Sequence, residues 1–176
     1  MEEDLDNKSE ALLRLNPVHG GKVPVLVVDG RPLAESLVII EYADEAWPAE
    51  GRRHPPALLP RASRARAAAR FWARFFHDEV SPLSRAVVLA DDAAERAELA
   101  REMKARVAVM EAGIAEDFPC GGEEGPFVHG RSPGLLDVIL GSCAAGGGGG
   151  REKTAGRGSN RKGDAAVSPF LLGIGD

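Results

Sequence analysis

The chain has 176 residues, 44% hydrophobic and 28% charged, and its 22 basic and 27 acidic side chains leave a net charge of −5. That length holds one medium domain or two small ones, and the acidic balance argues against nucleic acid or an anionic membrane as partner. No apolar stretch approaches the ~20 residues of a bilayer span, and MEEDLDNKSE lacks the basic start and apolar core of a secretory signal, so a cytoplasmic protein is expected.

Cys120 and Cys143 have neither metal-ligand nor CxxC spacing and read as free cytosolic thiols. His19, His54, His77 and His129 are scattered, so no metal site is expected.

Taken in order, Asn7-Lys8-Ser9-Glu10 leads into Ala11-Leu12-Leu13-Arg14-Leu15, a short helix stopped by Asn16-Pro17. Val23 to Val28 is a nearly continuous apolar run, the pattern of a strand buried on both faces. Asp29-Gly30 signals a two-residue hairpin turn, because type I′ geometry needs positive φ at both central residues. Pro32-Leu33-Ala34 is the return strand. Glu35 to Ala46 is a helix with Leu37, Ile40, Tyr42 and Ala43 available to pack on the sheet.

Residues 48–61 hold four prolines and no periodicity, and read as a linker. Beyond it, Phe71, Trp72, Phe75 and Phe76 form an aromatic stripe, and Leu99, Met103, Val107, Met110 and Ile114 recur at single-face helical spacing. Asp117-Phe118-Pro119 ends that second helix. A third begins near Gly134, where Asp137 stands to cap free backbone N–H groups. From Gly146 five consecutive glycines open a tail with little to bury, which reads as disordered. The organisation is therefore 1–47, 48–61 as linker, 62–143, and a Gly-rich tail over 144–176.

The chemistry concentrates in KVPVLVVDGRPLAES, residues 22–36. Proline donates no ladder hydrogen bond, so at Pro24 the strand must begin or bend, and a cis Val23-Pro24 bond is one way to do so. The polar backbone of Val23 is then aimed out of the sheet edge. Just past the return strand, Glu35 and Ser36 open a helix, where free N–H groups and the positive dipole end suit a carboxylate. The Ser36 hydroxyl adds a donor, and Glu35 would attract an α-ammonium. Together these suit the amino-acid end of a peptide: backbone pairing at Val23, carboxylate at Ser36, ammonium at Glu35. Each residue alone is more often structural, a strand breaker or a helix cap; the ordered set points to a site.

The set NPVH, KVPVL, ES and YADEAW, within NKSEALLRLNPVHGGKVPVLVVDGRPLAESLVIIEYADEAWP, resembles the glutathione-binding domain of plant tau-class glutathione transferases. RARAAARFWARFF resembles the start of that family's helical domain, and the likeness runs over roughly residues 1–143. The resemblance implies an α+β fold: a partial thioredoxin-like domain (helix, β-hairpin, helix), then an all-helical domain. It implies a homodimer that conjugates the glutathione thiolate to hydrophobic electrophiles in detoxification. It also implies that Lys8, Val23, Glu35 and Ser36 hold glutathione, with Lys8 meeting the glycine carboxylate. Glutathione is then co-substrate, and no metal is needed.

The family's catalytic serine, expected to stabilise the thiolate, would lie before residue 1, so no residue here is assigned that role. After Ala145 the likeness stops, and the chain reads as truncated at its start with an unrelated tail. Trp72 is the one candidate for an electrophile pocket, although such a stripe more often builds a core. Two further readings stand beside the enzyme: a non-catalytic module that binds glutathione or an apolar ligand, and a non-functional truncated product. Related thioredoxin-like families, the dehydroascorbate reductases and channel-like proteins, use a cysteine in the first helix. Neither cysteine here lies in the first domain.

Overall fold

The computed structural model describes residues 3–47, 57–119 and 125–147. Most of the expected linker, residues 48–56, and the expected disordered tail over 148–176 lie outside them. The chain divides into two compact units between Ala57 and Leu58.

The first unit opens with α1 (Glu10–Leu15). Ser9 caps it: its Oγ accepts from Leu12 N and donates to the Glu3 carboxylate at 2.7 Å. Leu12 is buried, and Asn16 ends the helix with its N–H on the Leu12 carbonyl. β1 (Val25–Val28) and β2 (Arg31–Ala34) follow as an antiparallel hairpin, with Val25 opposite Ala34 and Val28 opposite Arg31. Asp29 and Gly30 both have positive φ, 48° and 74°, as the type I′ turn demands. α2 (Ser36–Ala46) closes the unit and packs on both strands.

Two expectations need correction here. The strand starts at Val25, not Val23, because Pro24 offers no N–H to the ladder; the Val23-Pro24 bond is cis. Nor is the strand buried on both faces. Among the described residues it has one partner strand and one covering helix, so its side chains are half-buried and Val27 is 47% exposed.

The second unit is helical. α3 (Ser63–Phe75) passes without a break through a π-helical stretch, Phe76–Val80, into α4 (Ser81–Leu89). Proline explains the wide turn. Pro82 lacks an N–H and its ring crowds the carbonyl four residues back, so the helix loosens just ahead of it. The N–H of Ser81 reaches five residues back, to the Phe76 carbonyl.

The aromatic stripe is only partly a core face. Ala69, Trp72, Ala73, Phe76 and Val80 are buried, whereas Phe71 is 58% exposed. The inward set steps by three and four residues, and Phe71, one residue before Trp72, is turned about 100° away.

α5 (Ala93–Asp117) is capped by Asp92, whose Oδ2 accepts from Glu95 N at 2.8 Å. Its inward face is the expected one: Met110 is buried, and Leu99, Met103, Val107 and Ile114 are half-buried between exposed neighbours. α6 (Leu135–Gly147) brings Leu135, Leu136 and Ile139 into the core and runs past residue 143, where the ordered domain was expected to end. Asp137 accepts from Gly134 N at 2.8 Å with one carboxylate oxygen and from Val128 N at 3.0 Å with the other. It thus caps α6 and pins the loop before it. Among the described residues no helix is long and apolar enough to cross a membrane.

Candidate functional site

Four residues carry the site reading, and all lie in the first unit. Lys8 precedes the cap of α1. Val23 stands just before β1, with its side chain 47% exposed. Glu35 and Ser36 sit where β2 gives way to α2. The segment between Asn16 and Pro24 ties these places together.

Asn16 organises that segment. It is 4% exposed, and four of its polar groups are used. Its N–H goes to Leu12 O, its carbonyl accepts from Gly21 N at 2.8 Å, its Oδ1 accepts from His19 N at 3.3 Å, and its Nδ2 donates to Lys22 O at 2.9 Å. The loop is thereby closed on itself directly ahead of Val23. Gly20 and Gly21 both adopt positive φ, and a Cβ on Gly21 would press on Leu13 at 3.1 Å.

Two further contacts fasten the loop to candidate ligand residues. Lys8 Nζ donates to Gly20 O at 2.9 Å. His19 Nε2 lies 3.2 Å from Glu35 Oε1, with both side chains about 40% exposed (39% and 41%). Glu35 occupies the cap position of α2 at φ 75° and ψ 115°, yet its carboxylate does not cap the helix. Its carbonyl accepts the first helical bond, from Ile39 N at 2.9 Å. A non-glycine residue at such φ is costly, of order 1–3 kcal/mol, and persists where its surroundings over-determine it. Ser36 is the first helical residue and half-buried.

The arrangement provides one cation, one carboxylate, one hydroxyl at a helix start, and a strand entry that begins with proline. A zwitterionic peptide matches that inventory. Sequence reasoning did not single out Asn16 or His19. Asn16 was read only as a helix stop, although Asn-Pro after a helix is itself a signal of side-chain-to-backbone bonding. His19 carried no local signal for its pairing with Glu35.

Trp72 lies in the second unit, 8% exposed, with its indole N–H on Asp117 Oδ2 and its ring against Gly113. That is a helix-packing position. Asp137 is likewise a helix-cap residue by its contacts. Among the described residues no cluster of three or more His, Cys, Asp or Glu could hold a metal ion.

The family model for the glutathione S-transferase N-terminal domain matches residues 1–46. Glutathione S-transferase U10 of Arabidopsis thaliana is 41% identical over 119 residues, covering 68% of this chain and 48% of that protein. A probable glutathione S-transferase of Oryza sativa subsp. japonica, GSTU6, is 39% identical over 142 residues, covering 80% and 58%. Among solved structures, the tau-class glutathione S-transferase of mango superposes with a TM-score of 0.65 at 32% identity, over 83% of this chain and 61% of that one. Rice GST1, solved in complex with glutathione, gives 0.61 at 38% identity, over 80% and 59%. The chain spans about half the length of the curated relatives it matches (48% and 58%). By sequence and by fold, over the residues matched, it is similar to the plant tau-class glutathione S-transferases.

Proposed function

We propose that the first unit binds glutathione, and that the chain is part of a glutathione transferase that joins the glutathione thiolate to hydrophobic electrophiles. The supporting observation is the convergence of Lys8 and Glu35 on one loop, whose far end is Val23 and whose partner helix begins at Ser36. In this reading the backbone of Val23 pairs with the peptide, Ser36 and the α2 N-terminus take the γ-glutamyl carboxylate, and Glu35 takes the α-ammonium. Lys8 takes the glycine carboxylate, giving up the Gly20 carbonyl as it does so. No residue of this chain is assigned to thiolate stabilisation. The homodimer and the cytoplasmic location belong to the same reading.

The test is calorimetric titration of the full chain with glutathione. Ser36→Ala and Lys8→Ala should each weaken binding by about 1.5–3 kcal/mol, the worth of a hydrogen bond to a charged group. Equal affinity in the wild type and both variants would remove these residues from the site.

A further inference from the structure

We infer that His19 is a positioning residue of the glutathione site: it aims the Glu35 carboxylate and thereby sets selectivity for a peptide with a free α-ammonium. The inference rests on the glutathione reading above and concerns a residue that reading does not use.

Three observations carry it. The carboxylate of Glu35 stands at a helix N-terminus, where a carboxylate ordinarily turns back to cap free N–H groups. It does not do so; its Oε1 faces His19 Nε2 at 3.2 Å. Secondly, the backbone of Glu35 is held at φ 75°, which directs its side chain away from the path an ordinary cap residue takes. Thirdly, His19 is not a loose surface side chain. Its N–H is bound to Oδ1 of the buried Asn16, and the next residue, Gly20, receives Lys8. The imidazole is therefore mounted on a loop fixed at both ends.

The consequence is chemical. A carboxylate free to rotate at a half-exposed position spends little time in any one orientation, and a ligand must order it on binding. With Oε1 engaged by His19, Oε2 is the oxygen presented to an incoming ammonium. In this role the ring donates from Nε2 to Oε1 and takes no part in binding the ammonium itself.

Glu35 faces the ring from the β2–α2 junction, Lys8 reaches the loop from ahead of α1, and Lys22 follows on the loop itself. Neither lysine is a partner of the imidazole in the contacts observed.

The experiment titrates the full chain at about pH 8, where an imidazolium is scarce in general, with glutathione and with the analogue that lacks the α-amino group. Proteins compared are the wild type, His19→Ala, His19→Gln, Glu35→Gln and the double variant His19→Ala/Glu35→Gln. Amide spectra of each variant establish that the unit is folded. His19→Ala should weaken glutathione about 3- to 10-fold, leave the deamino analogue within about 2-fold, and add nothing once Glu35 is Gln. His19→Gln keeps a donor and should recover most of the affinity. A merely structural histidine would lower the affinity for both ligands alike, and that result overturns the inference. So does glutathione binding that Glu35→Gln weakens and His19→Ala leaves unchanged, in which case the glutathione reading itself stands. Absence of glutathione binding by the wild-type chain overturns that reading, and the inference with it.

Discussion

The indole N–H of Trp72 donates to Oδ2 of Asp117 at 2.9 Å, joining the last turn of α3 to the last residue of α5. Asp117 Oδ1 lies 3.5 Å from the guanidinium of Arg64, which is itself largely exposed. The first contact is shielded and the second open to water, so the first carries the energy. Asp117→Ala leaves the indole N–H of a buried ring without its partner. The second unit should lose about 1–3 kcal/mol in a urea titration, and Arg64→Ala should cost well under that. Equal losses in the two variants would show that the indole bond is not the stabilising one.

Gly113 marks the closest approach of α5 to the same ring. A Cβ built there would stand 1.9 Å from Cζ2 of Trp72 and 2.2 Å from Cη2. Gly113→Ala gains helix propensity worth about 1 kcal/mol but collides with a rigid indole, for which overpacking costs about 1–3 kcal/mol. The net effect should be destabilising. Pairing it with Trp72→Leu should relieve the clash, so that Gly113→Ala is less harmful in that background than in the wild type. Thermal melts of the four proteins give the comparison.

Asp137→Ala removes at once the acceptor for two backbone donors, Gly134 N–H and Val128 N–H. A cap of this kind is worth about 0.5–2 kcal/mol. Asp137→Asn retains one acceptor oxygen and should fall between Ala and the wild type. Amide exchange should accelerate at Val128 and Gly134 first in Asp137→Ala. Exchange unchanged at both would mean that other groups hold the α6 N-terminus.

Burial lowers the proton affinity of His129 below its ordinary 6.5, outweighing Asp137, whose negative charge raises it. Both ring nitrogens are shielded from solvent and have no hydrogen-bond partner among the described residues, and the ring stands edge-on to Phe118. An unfolded chain takes up this proton at a higher pH than the folded one. As pH falls through about 6.5, the unfolded state binds more protons and stability drops, until the folded ring titrates in turn. His129→Phe keeps the aromatic contact and has no proton to gain. Denaturant midpoints measured at about pH 7.5 and about pH 5.5 should therefore fall further for the wild type than for the variant.

What could be read from sequence was what depends on neighbours in sequence. Asp29-Gly30 needs only two residues to specify its turn, and Asp137 sits within one turn of the Gly134 N–H that it caps, while its second bond, to Val128 N nine residues back, had no such signal. The face of α5 from Leu99 to Ile114 followed from helical period alone. The wide turn at Phe76–Val80 was missed, and α4 with it, because the stripe of aromatics just before it looked like one continuous face. The true inward set uses two alanines, Ala69 and Ala73, which carry no such signal. His19 and Glu35 were brought together by a loop whose closure depends on Asn16. No spacing rule links them, so the pairing appears only in three dimensions. Burial of β1 was overestimated for a related reason: an apolar run predicts what a strand could bury, and its neighbours decide what it does bury.

The π-helical stretch between α3 and α4 has one more consequence. A regular helix advances by about 100° per residue, so one extra residue in a turn shifts the phase of everything after it by that angle. Ahead of the stretch the buried stripe runs through Ala69, Trp72 and Phe76; beyond it, where α4 packs on α5, Leu83 and Val87 are half-buried, Ala90 just past the helix is buried, and Val88 and Leu89 are exposed. The two halves behave as gears set on one shaft with a fixed offset. Deleting one residue within Phe76–Val80 should let the wide turn close into an ordinary one and leave α4 facing as it does, whereas one residue inserted into α4 itself would turn everything beyond it by about 100°.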